Sequence, residues 1–164
     1  ITFIHQLAMS NYSEKEYEIF SRLFILKEFS AENIKNLSNI KIGIVGIGGI
    51  GCPLSLYLVN SAIKNLTLID GDSVEKSNLN RQILFNTKDI GRKKVDVAKE
   101  KLQLINDNCK INVVDSNIDK KNITSLENCS LVIDATDDWK TSRILNEYCV
   151  KNSINFLYSS AVSH

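Results

Sequence analysis

From about residue 40 onward, short apolar runs alternate with segments whose apolar residues recur at helical spacing. A short continuous apolar run is typical of a strand buried on both faces, and a repeat of three or four residues indicates an amphipathic helix. The pattern predicts strands at residues 41–45, 65–70, 111–114, 130–134 and 154–158, and helices at residues 49–62, 92–107 and 139–151. This alternation predicts an α/β fold, namely a Rossmann-like, doubly wound and mainly parallel sheet.

The start of the chain has a helical pattern instead. Ser13 and Glu16 have the spacing of a capping box, and aromatic residues follow at helical spacing, which predicts a helix over residues 13–29. A second, short helix is predicted at residues 30–37.

These patterns divide the chain into two parts. Residues 1–38 are predicted to be an N-terminal helical segment, and residues 39–164 a nucleotide-binding Rossmann-like domain. The apolar residues near residues 20–29 are more than one face of a single helix can bury. The helix therefore packs on the sheet of its own subunit or forms a dimer contact, and the sequence leaves both alternatives open.

Composition and charge narrow the class of protein. The 164 residues suit one domain, and the formal net charge of +1 gives no electrostatic reason to expect nucleic acid or a membrane surface as a partner. No apolar run approaches the roughly 20 residues that cross a bilayer, and the first residues lack the features of a signal peptide. The four cysteines contain no CxxC pair, which favours core thiols over disulfides or a zinc site. We therefore expect a cytoplasmic protein.

A glycine-rich motif follows the first predicted strand and opens a helix. Gly46, Gly48 and Gly51 have the GxGxxG spacing, and Gly49 adds a further glycine. Glycines let the backbone approach a phosphate closely, and a helix N-terminus offers free N–H groups to it. Asp70, at the end of the second strand, has the position from which a carboxylate accepts hydrogen bonds from a ribose. The motif predicts a nucleotide site without separating ATP from NAD.

Charged residues further along favour ATP. Arg81 and Lys94 could neutralise phosphates, and Asp137, at the end of a strand, could hold Mg²⁺ through an oxygen ligand. A triphosphate attacked at its α-phosphorus needs such groups, whereas a dinucleotide dehydrogenase has little use for them.

Taken together, the chain resembles the ubiquitin-activating-enzyme-like adenylyltransferases of the ThiF, MoeB and HesA type, from about residue 21 to its end. The matching motifs are the glycine run of residues 46–51, Asp70-Gly71-Asp72, Ser77-Asn78-Leu79-Asn80-Arg81-Gln82, residues 91–94, and Thr136-Asp137. The resemblance implies ATP-dependent attack of a C-terminal carboxylate on the α-phosphate, giving an acyl-adenylate and pyrophosphate.

The resemblance also implies the roles of individual residues. Asp70 would bind the ribose, with Asp72 beside it in the nucleotide site. Asn78, Arg81 and Lys94 would contact the phosphates of ATP. Asp137 would coordinate Mg²⁺.

Arg22 matches an arginine that reaches across the family's dimer to the partner's ATP. We therefore expect a homodimer in which Arg22 acts in catalysis together with Arg81, Lys94 and Asp137. The expected acceptor is a ubiquitin-like sulfur-carrier protein or a peptide, and a small or tRNA-borne carboxylate stays open.

Two departures from the family pattern qualify these expectations. Asp138 stands where the family usually has asparagine, and the chain stops at His164, where the family sheet normally continues. We therefore expect the C-terminal part of the family domain to be absent, and we assign neither zinc nor a catalytic cysteine. An NAD-dependent oxidoreductase and a catalytically silent scaffold subunit remain as alternative functions.

Overall fold

The computed structural model describes residues 13–26, 31–61 and 63–161. Within these ranges, five parallel strands form one sheet with the order β3-β2-β1-β4-β5. This order is that of a doubly wound Rossmann-like sheet, so the predicted fold class is confirmed. The strands are β1 Lys41–Val45, β2 Asn65–Ile69, β3 Lys110–Val114, β4 Leu131–Asp134 and β5 Asn155–Tyr158.

Helices connect the strands, as the alternating pattern predicted. The α-helices are α1 Glu14–Phe24, α2 Ala31–Asn39, α3 Gly51–Val59, α4 Lys94–Ile105 and α5 Trp139–Lys151. Within the described residues there are also three short 3₁₀ helices that were not predicted, at Lys76–Asn78, Thr87–Asp89 and Ile123–Leu126. No helix in the described ranges has the length and apolar character needed to span a bilayer.

The core has two layers because successive strand residues point to opposite faces of the sheet. Ile44 and Leu68 enter a cluster that includes residues of α3 and α4. Val45 and Ile69, one residue further along each strand, enter a second cluster with Leu145 of α5. The sheet is therefore covered on both faces, which explains the continuous apolar strands in the sequence.

Helix α1 is attached to its own subunit along one side. Ser13 and Glu16 form the predicted capping box, in which the Ser13 N–H donates to Glu16 Oε2 at 2.7 Å and the Glu16 N–H donates to Ser13 Oγ at 3.3 Å. Glu16 also pairs with Lys64 Nζ at 3.0 Å, and Phe20 is buried. Ile19, in contrast, is 59% exposed. The contacts support packing on the subunit's own core and leave another side of the helix uncovered.

The predicted boundaries differ from the observed ones by a few residues. The first helix, predicted over residues 13–29, ends at Phe24, and residues 27–29 lie outside the described ranges. The helix predicted over residues 49–62 is Gly51–Val59. The glycine run keeps an irregular turn ahead of its first residue, and residue 62 lies outside the described ranges. The division into residues 1–38 and 39–164 stays a prediction.

Candidate functional site

A cleft lies at the carboxyl ends of the strands, beside β1 and β4. The strand order reverses between these two strands, since β2 and β3 follow on one side of β1 and β4 and β5 on the other. This switch point is where open α/β sheets bind ligands. The cavity has a volume of about 850 Å³. Its walls include the glycine loop after β1, the segment between β2 and α4, and the loops that follow β3 and β4.

The glycine loop turns tightly above β1. Gly46 has a φ of +91°, and a β-carbon there would lie 2.8 Å from the carbonyl oxygen of Ala135. Gly48 and Gly49 line the cleft. Gly51 is not among the lining residues; it is the first residue of α3, and a β-carbon on it would lie 1.9 Å from the carbonyl oxygen of Gly46. The four glycines predicted to bind nucleotide therefore differ in what they contact.

Asp70 fixes the glycine loop to the end of β2. Its Oδ2 accepts a hydrogen bond from the Ile47 N–H at 2.7 Å, and its Oδ1 accepts one from the Asp72 N–H at 2.8 Å. Burial raises the pKa of the Asp70 carboxyl, although these two hydrogen bonds and nearby Lys94 act in the opposite direction. The carboxylate lines the cleft and keeps lone pairs for a further donor, such as a ribose hydroxyl.

Lys94 is a buried cation in the wall of the cleft. It is the first residue of α4, and its Nζ lies 2.8 Å from Asp72 Oδ2 and 4.0 Å from Asp70 Oδ2. Its side chain is 7% exposed, whereas that of Asp72 is 63% exposed. The predicted site residues Asp70, Asp72 and Lys94 therefore lie together, and Lys94 forms its shorter ion pair with Asp72.

Asn78 and Arg81 lie in the segment between β2 and α4. Asn78 is buried, and its Oδ1 accepts a hydrogen bond from the Glu75 N–H at 3.0 Å. Arg81 is exposed, and its guanidinium donates to the Ser77 carbonyl oxygen at 3.0 Å and to Asn80 Oδ1 at 3.1 Å. Both residues line the cleft, so one positive group faces it from this side.

A buried ion pair supports this segment. Asp89 accepts hydrogen bonds from Lys101 Nζ and from the Asn86 N–H, the latter at 2.8 Å, and Lys101 also donates to the Leu84 carbonyl oxygen at 2.7 Å. Burial alone would raise the pKa of the Asp89 carboxyl, but the hydrogen bond from Lys101 and the other contacts outweigh it, and the pKa is lowered.

We predict that Asp89→Asn lowers the free energy of unfolding by about 2 kcal/mol at neutral pH, because it breaks a buried ion pair. The pKa of Asp89 is lower in the folded than in the unfolded protein, so its contribution is present above about pH 4. It is lost as the pH falls through the folded-state pKa. Urea unfolding at several pH values should show the difference between wild type and variant shrinking in acid.

Asp107→Asn, at an exposed aspartate, is the matched control and should be neutral. A difference for Asp89→Asn that is the same at all pH values would contradict the ion-pair explanation.

Two anchored turns hold Asp137 at the edge of the cleft. On one side, Asp134 Oδ1 accepts hydrogen bonds from the Thr136 N–H at 2.9 Å and from its hydroxyl at 2.7 Å. On the other side, Asp138 caps α5, accepting from the Thr141 N–H at 3.0 Å. Asp137 itself is exposed, and its carboxylate has no hydrogen bond or ion pair with the described residues.

The helix cap explains how Asp138 replaces the family's asparagine. Its Oδ1 accepts from the Lys140 N–H at 3.3 Å, and its Oδ2 also accepts from the Thr141 hydroxyl at 2.7 Å. Hydrogen bonds from Thr141 lower the pKa of the Asp138 carboxyl. Aspartate and asparagine are comparable N-caps, so the substitution keeps the turn and adds a negative charge beside Asp137.

Sequence reasoning missed part of the cleft wall. Ser116, Asn117 and Ile118, in the loop after β3, also line the cleft, and Gln82 contributes a buried amide. The strand order 3-2-1 is the available signal, because it brings the ends of β2 and β3 together. Gln82 belongs to the motif of residues 77–82, but the motif alone predicts no role for it.

The remaining candidates lie outside the cleft. Arg22 is exposed on α1 and is not among the lining residues. All four cysteines are free and buried, and burial raises the pKa of Cys52 to about 11, which disfavours a thiolate nucleophile. Within the described ranges there is no group of three or more histidine, cysteine or acidic side chains that could hold a metal ion.

Comparison with known proteins agrees with this geometry. The model of the ThiF family matches residues 20–164. The molybdopterin-synthase adenylyltransferase of Salmonella typhimurium is 34% identical over 155 residues, which are 94% of this chain and 62% of that protein. The ThiS adenylyltransferase of Escherichia coli is 30% identical over 151 residues, which are 92% of this chain and 60% of that protein.

A solved structure is similar as well. The E. coli tRNA N6-threonylcarbamoyladenosine dehydratase in complex with ATP has a TM-score of 0.83 and 30% sequence identity, over 91% of this chain and 61% of that one. The chain thus spans less than two thirds of the length of each of these three proteins.

Proposed function

The chain belongs to the ThiF family, and from that premise we propose that it binds ATP in the cleft and activates a carboxylate by adenylation. One observation carries the proposal. One cavity at the switch point of the sheet is lined by the glycine loop, by the buried carboxylate of Asp70 at the position suited to a ribose, and by the cations Arg81 and Lys94. The similar dehydratase with ATP bound, and relatives named adenylyltransferases, support the same assignment.

The residues of the cleft suggest how ATP is bound. The glycine loop and the N-terminus of α3 offer N–H groups to the phosphates. Asp70, held by two backbone N–H groups, accepts from the ribose hydroxyls. Asn78, Arg81 and Lys94 contact the phosphates, and the loop with Ile118 borders the space left for the base.

Asp137 fits a Mg²⁺ ion that arrives on the triphosphate. Its carboxylate is exposed, lines the cleft and is not used by the described residues. A single protein carboxylate suits Mg²⁺, which commonly keeps water and phosphate oxygens as its other ligands. When bound there, the ion would neutralise charge on the phosphates. The chain offers no closed metal cage in its described part, in agreement with an ion shared with ATP.

The reaction that follows is attack of a carboxylate oxygen on the α-phosphorus. The bond from the α-phosphorus to the bridging oxygen of the β-phosphate breaks, and pyrophosphate leaves with the electron pair. Carboxylate and triphosphate repel one another, so the contribution of Arg81 and Lys94 is positioning and charge neutralisation. No covalent intermediate on the protein is needed, in accord with the buried cysteines.

We propose a sulfur-carrier protein or a peptide ending in a free carboxylate as the acceptor. The name of the E. coli relative, a ThiS adenylyltransferase, favours the sulfur carrier. Arg22 lies on α1, whose exposed side includes Ile19. We propose that two copies pair through residues 1–38 so that Arg22 reaches the partner's ATP, while residues 39–164 bind the nucleotide. A cytoplasmic location belongs to the same proposal.

Calorimetry with ATP and Mg²⁺, and separately with NADH, tests the nucleotide assignment. We expect metal-dependent ATP binding that weakens about tenfold in Asp137→Ala and in Arg81→Ala, about 1.4 kcal/mol each. The loss in Asp137→Ala should vanish when EDTA removes the metal, because Asp137 acts through the ion.

Arg143→Ala is the matched control, since Arg143 is exposed and pairs with Glu147 outside the cleft. It should bind ATP like the wild type. Tight NADH binding that is unchanged in Asp137→Ala and in Arg81→Ala, as in the control, would overturn the proposal in favour of an oxidoreductase. Absence of binding to either ligand would overturn it in favour of a scaffold subunit.

A further inference from the structure

The two partners of the Lys94–Asp72 ion pair differ in their exposure to solvent. The Lys94 ammonium is almost fully buried, whereas the Asp72 carboxylate that it contacts at 2.8 Å is 63% exposed. Lys94 also begins α4, where the helix dipole disfavours a positive charge. A buried cation at this position needs a counter-anion, and Asp72 supplies it in the absence of a ligand.

The backbone fixes Asp72 next to Lys94. The Lys94 N–H donates to the Asp72 carbonyl oxygen at 3.0 Å, and the Asp72 N–H donates to Asp70 Oδ1 at 2.8 Å. Asp70 is also near Lys94, with Oδ2 4.0 Å from Nζ, but each of its carboxylate oxygens is held in place by a backbone N–H. Asp72 is therefore the exchangeable partner of Lys94: its main chain is held, while its carboxylate can turn towards solvent.

A phosphate that reaches Lys94 must compete with this carboxylate. Both side chains line the cleft, so an incoming anion meets a Lys94 ammonium group that is already paired with the Asp72 carboxylate. Coulomb repulsion at about 4 Å near a protein surface is large enough to change an affinity severalfold. If Asp72 competes for Lys94, removing its carboxylate should strengthen the binding of phosphates. If Asp72 instead contacts the nucleotide, as its motif predicts, removing the carboxylate should weaken binding.

We propose that Asp72 competes with phosphate anions for Lys94, and so lowers the affinity of the cleft for free polyphosphate and for the pyrophosphate product. This inference rests on the proposed ATP site and assigns Asp72 a role other than contact with the nucleotide. In the nucleotide complex Lys94 faces the phosphates and the carboxylate of Asp72 faces solvent.

The test measures binding of inorganic tripolyphosphate, without magnesium, to the full chain. We expect Asp72→Asn to bind it about tenfold more tightly than the wild type. The gain should disappear in the double variant with Lys94→Met, because Asp72 acts only through Lys94. Such a double-mutant cycle separates this mechanism from a structural effect, which would be independent of Lys94. Asp72→Ser is a second variant, and urea unfolding shows that each variant is folded.

Asp115→Asn is the matched control. Asp115 pairs with the neighbouring Lys93 at 2.9 Å, and neither residue lines the cleft, so the variant removes the same charge without freeing Lys94. It should change the affinity less than twofold. Weaker or unchanged binding by Asp72→Asn would overturn the inference, and so would an absence of tripolyphosphate binding by every variant.

Binding of ATP with Mg²⁺ to the wild type is measured in parallel. If the wild type binds it while Asp72→Asn gains nothing for tripolyphosphate, the competition fails and the ATP site stands. If the gain for tripolyphosphate is present and depends on Lys94 but ATP is not bound, the competition stands and the proposed function fails.

Discussion

Replacing Lys94 by methionine is expected to weaken binding of ATP with Mg²⁺ by about 100-fold, or about 2.7 kcal/mol. The substitution keeps the length and apolar stem of the side chain and removes only the ammonium. Lys94 Nζ lies 2.8 Å from Asp72 Oδ2 and 4.0 Å from Asp70 Oδ2, so its removal leaves these two carboxylates in the cleft wall without the cation that pairs with them. The loss therefore combines a missing charged contact with new repulsion.

Lys93→Met is a close control for this experiment. Lys93 precedes Lys94 in the chain, pairs with Asp115 at 2.9 Å and donates to the Gly71 carbonyl oxygen at 3.0 Å. Because it does not line the cleft, its loss should change the ATP affinity less than threefold. Calorimetric titration of both variants decides the matter. Equal losses in the two variants would mean that general surface charge, and not the position of Lys94, governs binding.

The location of this cleft follows from features that the sequence shows directly. Continuous apolar strands alternating with helices admit few topologies, and in a doubly wound sheet the loops after β1, β2 and β4 meet at one edge. This topology predicts that Asp70 and Asp137 share one site although they lie far apart in the sequence. The glycine motif then identified which edge of the sheet carries a ligand.

Pairing of side chains could not be predicted in the same way. Lys94 was expected to face phosphates, but which acid holds it depends on the path of the chain between β2 and α4. That path contains two 3₁₀ helices and is fixed by the buried Asp89–Lys101 pair, and neither has a repeating signature in the sequence. Irregular segments held by single polar contacts are determined by tertiary structure, and periodicity carries no information about them.

The glycines of the loop illustrate the same limit, since one motif contains residues with different tasks. Gly51→Ala is expected to lower the free energy of unfolding by about 4 kcal/mol, although helix propensity alone would favour alanine by about 1 kcal/mol. Gly51 begins α3, and an added β-carbon would lie 1.9 Å from the carbonyl oxygen of Gly46. This neighbour is backbone, and Gly46 already has a φ of +91°, so the turn cannot relax without disrupting the end of β1.

Gly48→Ala separates the structural task from binding. A β-carbon on Gly48 would lie 3.8 Å from Gln82 Nε2, an ordinary contact, so urea unfolding should show a loss below about 1 kcal/mol. Gly48 lines the cleft, where the proposed phosphates approach the backbone, so the added methyl group should weaken ATP binding at least tenfold. Gly51→Ala should thus lower the free energy of unfolding, whereas Gly48→Ala should lower the affinity for ATP. If Gly51→Ala were as stable as the wild type, the close approach of Gly51 to Gly46 would not be what requires glycine there.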